Sequence, residues 1–153
     1  MTFARSALLL ALLAVTACTK QPNDVSSLLP APRPSAEEMR LVMINERKDE
    51  VLRQLAVCES GDHGDSPVPV VGGRGAYLGR FQFMPRTVIN YVQQMDGRTL
   101  SWGEATALAH NYSQAAALAK WVIFERDGLF NWPACSRKLG LAKQVAEIKA
   151  LSS

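Results

Sequence analysis

Two runs organise this sequence: Leu55-Ala56-Val57-Cys58-Glu59-Ser60-Gly61 and Gly75-Ala76-Tyr77-Leu78-Gly79-Arg80-Phe81-Gln82-Phe83-Met84-Pro85-Arg86-Thr87. The first places a carboxylate, Glu59, at the end of an apolar helical segment, and Ser60-Gly61 stops the helix directly after it. The C-terminal end of a helix carries partial negative charge, which disfavours an ionised carboxylate there. If apolar groups also surround the side chain, its pKa rises and it holds a proton near neutral pH, as a general acid must. Taken alone, a Glu at a helix end is more often solvated and inert. The run by itself leaves both readings open.

Working outward, Ser35-Ala36-Glu37-Glu38 is a capping box, with Ser at N-cap and Glu at N3, so a helix starts there and runs to about Val57. Met39, Val42, Leu52, Leu55 and Ala56 supply parts of its apolar face, while Glu46 to Glu50 (ERKDE) is solvated and polar enough to split it in two. Residues 61–80 are dense in glycine and proline around short apolar pieces (VPVV, AYLG), which predicts a loop or small hairpin. Pro85 suits the first turn of a helix running to about Met95, ended by Asp96-Gly97. Ser101-Trp102-Gly103-Glu104 is a second capping box and opens a short helix to about His110. Ser113 reads as the cap of a longer helix ending near Asp127, with Gly128 as its C′ residue. Residues 129–138 read as a turn holding Trp132-Pro133, and a last helix covers about 140–151. The expected fold is mainly α, with a small Gly-rich insertion after the first helix.

The first seventeen residues have a different character. Arg5 gives a positive start and Ala7 to Ala14 is an unbroken run of Ala and Leu, too short to span a bilayer but fit for a cleaved export signal. Val15-Thr16-Ala17-Cys18 resembles the bacterial lipobox, which implies cleavage before Cys18 and lipidation of that cysteine; a plain signal peptide leaving a free thiol is the alternative. Residues 18–35, rich in Pro and Ser and without period, then form a lipidated, extended tether, and 36–153 one compact domain. The expected location is outside the cytoplasm, lipid-anchored to a bacterial membrane. Cys58 and Cys135 remain as an even pair in an oxidising compartment, either bridged or separately buried. A bridge closes a loop of about 78 residues, for which chain entropy gives about 4.5 kcal/mol. The net charge of +3 is too small for the field of a nucleic-acid binder, so no nucleic-acid partner is expected.

The two runs, together with a third, carry a family resemblance. Cys58-Glu59-Ser60-Gly61 and then Gly75 to Thr87 are similar to the E-S-G and G-x-x-Q-x-M-P-x-T pattern of lysozyme-like transglycosylases. Gly128 to Leu141 (GLFNWPACSRKLGL) resembles the C-terminal signature of resuscitation-promoting factors and related transglycosylase-like domains. The similarity covers roughly residues 50–141. It implies an α+β lysozyme-like fold and cleavage of the N-acetylmuramic acid to N-acetylglucosamine β-1,4 bond of peptidoglycan, whose glycan strands are then the partner. Glu59 matches the family's catalytic acid, Gln82 and Met84 match groups lining the saccharide cleft, and Cys58 and Cys135 match a disulfide. Glu59 would protonate the glycosidic oxygen and then take the muramyl O6 proton, giving a 1,6-anhydro product. One carboxyl group suffices because the substrate supplies its own nucleophile, unlike glycosidases with two carboxylates. A hydrolysing muramidase of the same fold and a catalytically weak murein-binding lipoprotein are the alternatives. Arg80 departs from the pattern, standing in Gly-Arg-Phe-Gln where Gly-Leu-Met-Gln is common, and the N-A-G-x-x-x-V tail of larger transglycosylases is absent.

Other residues have plainer readings. Asp62 and Asp65 could supply a second carboxylate, but acids in a Gly/Pro loop are usually turn formers. His63 and His110 lack companions at metal-ligand spacing, so no metal and no cofactor is expected. Trp121 belongs to a helical pattern and the core. Trp132, beside a loop, and Tyr77, within the Gly-rich segment, are candidates either for the cleft or for packing. The expected unit is a monomer.

Overall fold

Ser35 opens the first helix as its capping box predicts: Oγ accepts from the Glu38 N–H at 3.1 Å, and the Glu38 carboxylate accepts from the Ser35 N–H at 2.6 Å. The computed structural model describes residues 33–61 and 70–152, and the chain from Pro34 onward forms one unit. The expected signal peptide, Cys18 and most of the tether, together with Asp62, His63 and Asp65, lie outside the described residues.

Helix α1 (Ala36–Ser60) is a single 25-residue helix. Its polar middle does not split it. Glu50 accepts from Arg53 at 2.6 Å and Gln54 at 2.9 Å, and Asp49 pairs with Lys120 at 2.9 Å, so the charges satisfy one another at helical spacing. Val51 and Leu52, directly after this stretch, are buried. The apolar face differs from expectation at its N-terminal end. Ile44, Val51, Leu52, Leu55 and Ala56 are buried, whereas Met39 and Val42 are exposed. Met39 and Val42 precede Ile44 by five and two residues, spacings that turn them away from the Ile44–Val51–Leu55 stripe.

Strands β1 (Val71–Gly72) and β2 (Tyr77–Leu78) pair antiparallel, Val71 with Leu78 and Gly72 with Tyr77. Helices α2 (Pro85–Asp96), α3 (Trp102–His110), α4 (Tyr112–Glu125), α5 (Pro133–Leu139) and α6 (Leu141–Ser152) follow. Asn111, not Ser113, caps α4: its Oδ1 accepts from the Gln114 N–H at 3.0 Å, while its own N–H bonds back to the Ala107 carbonyl of α3 at 3.1 Å. One residue therefore ends one helix and starts the next.

Gly128 is not the C′ residue of α4. Asp127 takes the left-handed conformation, φ 53°, and Gly128 is buried at the start of a short 3-10 turn, Gly128–Asn131. A Cβ on Gly128 would strike the Val122 side chain and stand 2.9 Å from the Val122 carbonyl, so only glycine fits. The supposed turn over 129–138 is this 3-10 segment followed by α5, which opens on Pro133 and is stopped by Gly140.

Helix α4 packs against α1, α2, α3 and α6 and is the central element. Its Leu118, Ala119, Val122 and Ile123 meet Leu55 of α1, Val88 and Val92 of α2, Leu141 of α6 and Phe81 in a core where each is at most 1% exposed. The protein is mainly helical with one two-stranded sheet, as the sequence predicts. Among the described residues no helix is long and apolar enough to cross a membrane.

Candidate active site

Glu59 occupies the last turn of α1, half-buried. Burial raises its pKa above the usual carboxylate range. Among the described residues no cation pairs with it, and the last turn of α1 has no basic residue, so none of these residues offsets the desolvation. Ser60 is turned inward onto the helix, its Oγ donating to the Ala56 carbonyl at 2.8 Å.

A covalent bond fixes this helix end. Cys58 and Cys135 form a disulfide with Cα atoms 5.9 Å apart, tying the residue before Glu59 to α5. Trp132, immediately before α5, continues the tie. Its Nε1 donates to the Phe81 carbonyl at 2.8 Å, and its ring packs edge-on against Phe83 with centroids 5.3 Å apart. The end of α1 is thereby joined through α5 to the turn after β2.

That turn is shaped by a close approach. Leu78 and Phe83 exchange both backbone hydrogen bonds, at 2.9 and 3.0 Å, so Gly79 to Gln82 form a tight loop. Gly79 has φ 68°, and a Cβ there would collide with the Ala109 carbonyl at the end of α3. Gln82 also adopts a left-handed conformation, φ 51°, which costs a non-glycine residue about 1 kcal/mol. Its side chain holds the loop closed, Nε2 donating to the Gly79 carbonyl at 2.7 Å, while Oε1 occupies the space a side chain on Gly72 would need.

The structure separates the expected cleft residues. Tyr77 and Met84 are exposed, at 43% and 44%. They stand one step out from the paired Leu78 and Phe83, whose side chains are buried on the opposite face. Gln82 is half-buried and bonded within its own loop. Trp132 differs from the cleft reading: at 3% exposure it offers no ring face to a sugar, because its indole is committed to the Phe81 carbonyl and to Phe83. Trp121 is half-buried, edge-on to Tyr91 at 6.3 Å, and Trp102 is exposed.

Arg80 now has a place. Its guanidinium lies 4.5 Å from the centre of the Tyr112 ring, which itself stacks on Phe81 at 5.8 Å. The Arg80 charge is thus seated on an aromatic surface. The sequence reading does not single out Tyr112, because a ring that meets Arg80 from 32 positions away leaves no local signal. Compared with family models, with curated proteins and with solved structures, the chain matches none.

Proposed function

We propose that this chain is a peptidoglycan lytic transglycosylase, exported and anchored through Cys18, with Glu59 as its general acid and base. The observation that carries the reading is the half-buried Glu59 at the end of α1, its pKa raised by burial and its backbone clamped by the adjacent disulfide. A protonated Glu59 delivers its proton to the glycosidic oxygen as the C1–O4 bond breaks, releasing the N-acetylglucosamine 4-hydroxyl. The resulting carboxylate takes the muramyl O6 proton while O6 closes on C1. The 1,6-anhydro ring forms, no water is consumed, and Glu59 ends protonated for the next cycle. The upward shift from burial favours the protonated form in which this sequence starts.

Replacing Glu59 by Gln tests the assignment. The amide is nearly isosteric but has no proton to give, and general acid–base catalysis contributes on the order of 10²–10⁴-fold. Muropeptide release from purified sacculi should fall by that factor while the circular dichroism spectrum is kept. Substantial release by a folded Glu59→Gln protein would remove the mechanism.

A further inference from the structure

The first turns of α1 carry apolar side chains that no described part of the domain covers. Met39, Leu41, Val42 and Met43 are 41–56% exposed, four large hydrophobic residues within five positions. Single exposed hydrophobic residues are ordinary, whereas a contiguous apolar surface marks a place of contact. We infer that this surface rests on the lipid bilayer to which the chain is anchored. The inference rests on the anchoring at Cys18 proposed above and extends it to the orientation of the anchored domain.

Helical spacing makes Met39, Val42 and Met43 one face, at i, i+3 and i+4, about half a turn from the buried Ile44–Val51–Leu55 stripe. Leu41 turns the other way, beside Ile44 and Ser152, where α6 ends. The exposed Glu46 and Glu50 continue the apolar face as charge, so only the first two turns enter lipid. The charges on those turns are already engaged. Arg40 pairs with Glu37 at 3.3 Å, and Glu38 closes the capping box with Ser35. A second copy of the chain is a poor occupant: from Met39 to Met43 the face is about 6 Å long, short of the roughly 800 Å² per partner that a specific interface buries.

The covalent order of the chain brings the bilayer to this end. Cys18 precedes Ser35 by 17 residues, at most about 60 Å even when fully extended. The apolar face begins four residues after Ser35, at the end of the domain that the anchor reaches first. Anchoring makes contact with lipid an intramolecular event, so a few apolar side chains suffice where they would not hold a free protein. The orientation also suits the proposed reaction. Glu59 lies sixteen residues beyond Met43, about 24 Å along α1 and about 160° around it. A domain resting on its Met39–Met43 face holds the acid off the bilayer and turned away from it.

Val42→Trp reports the contact directly. Protein isolated from the exporting cell is placed on vesicles of phosphatidylethanolamine and phosphatidylglycerol with brominated acyl chains, which quench tryptophan lying in the lipid. Where Cys18 carries no lipid of its own, its thiol is coupled to a maleimide lipid in the same vesicles. Relative to the parent protein, the emission added by Val42→Trp should be largely lost, whereas that added by Lys143→Trp, exposed on α6, should be kept. Adding Met39→Gln and Met43→Gln should restore the emission at position 42. Both positions are exposed and glutamine is a good helix former, so α1 is kept. Full emission at position 42 in the anchored protein would overturn the docking and leave the anchor standing. Equal loss at positions 42 and 143 would show mere proximity and overturn it too. Sedimentation as a dimer that Met39→Gln and Met43→Gln dissolve would give the face to a second copy and likewise overturn it. Quenching at position 42 in protein held only by the maleimide lipid would keep the docking face and remove the native lipidation.

Discussion

Glu59 is held between two effects that act in the same direction. Burial withdraws its carboxylate from water, and the C-terminal end of the α1 dipole adds unfavourable negative potential. Its folded-state pKa therefore lies above the unfolded one, and the native state keeps a proton that the unfolded chain has lost. Stability falls as pH rises from the ordinary value through the raised one, and the cost stays constant above it. Glu59→Gln removes this cost. The variant should melt at a higher temperature than the parent at about pH 7, with the gain shrinking toward zero near pH 3, where both side chains are neutral. Equal shifts at both pH values would show that the gain has nothing to do with ionisation. The sequence marks Glu59 because its neighbours are informative, and Arg80 only as a departure from a pattern; it does not mark Tyr112 as the ring that receives Arg80. Those two meet across more than thirty positions of chain, and a cation–π pair leaves no periodic trace.

The helices show which local signals are legible. Both capping boxes were readable because they act within one turn and depend on no other element. The start of α4 was misplaced by two residues because both Asn111 and Ser113 are good caps. Asn111 prevails since it already closes α3. The sequence suggests a turn where α5 forms, although Pro133 at its first position and Gly140 after its last are ordinary helix bounds. Its role is the larger lesson: α5 carries Cys135 and follows Trp132, and so couples the end of α1 to the loop of Gly79–Gln82. Reducing the disulfide should cost about 4.5 kcal/mol from chain entropy. It should also loosen the position of Glu59, and about 1 Å of misplacement at a reacting centre can cost 10²-fold in rate. With dithiothreitol at a temperature where the helical circular dichroism signal survives, muropeptide release should drop well before the helices melt. Unchanged release from a protein with both thiols titrating free would show that the bond plays no part in placing the acid.

On the scale of the whole molecule, the central α4 gathers the core, and the site residues stand at its edge on α1 and on the loop after β2. A mainly helical unit was readable from caps and breakers. Met39 and Val42, by contrast, were assigned inward because hydrophobicity alone does not say which residues share the stripe. The proposed export and anchoring are tested at Cys18. Growth with labelled palmitate should label the parent protein, and Cys18→Ser should abolish the label and move the protein into the soluble fraction; an unlabelled parent would end the lipoprotein reading.

The central claim is the reaction itself. Purified sacculi digested with the protein and analysed by mass spectrometry report it in one measurement, because the cyclised product is lighter than the hydrolysed one by one water. The account predicts muropeptides ending in 1,6-anhydro-N-acetylmuramic acid, formed without incorporation of oxygen from labelled water. Reducing ends carrying that label would contradict it in favour of a muramidase, and undigested sacculi would remove the enzymatic reading.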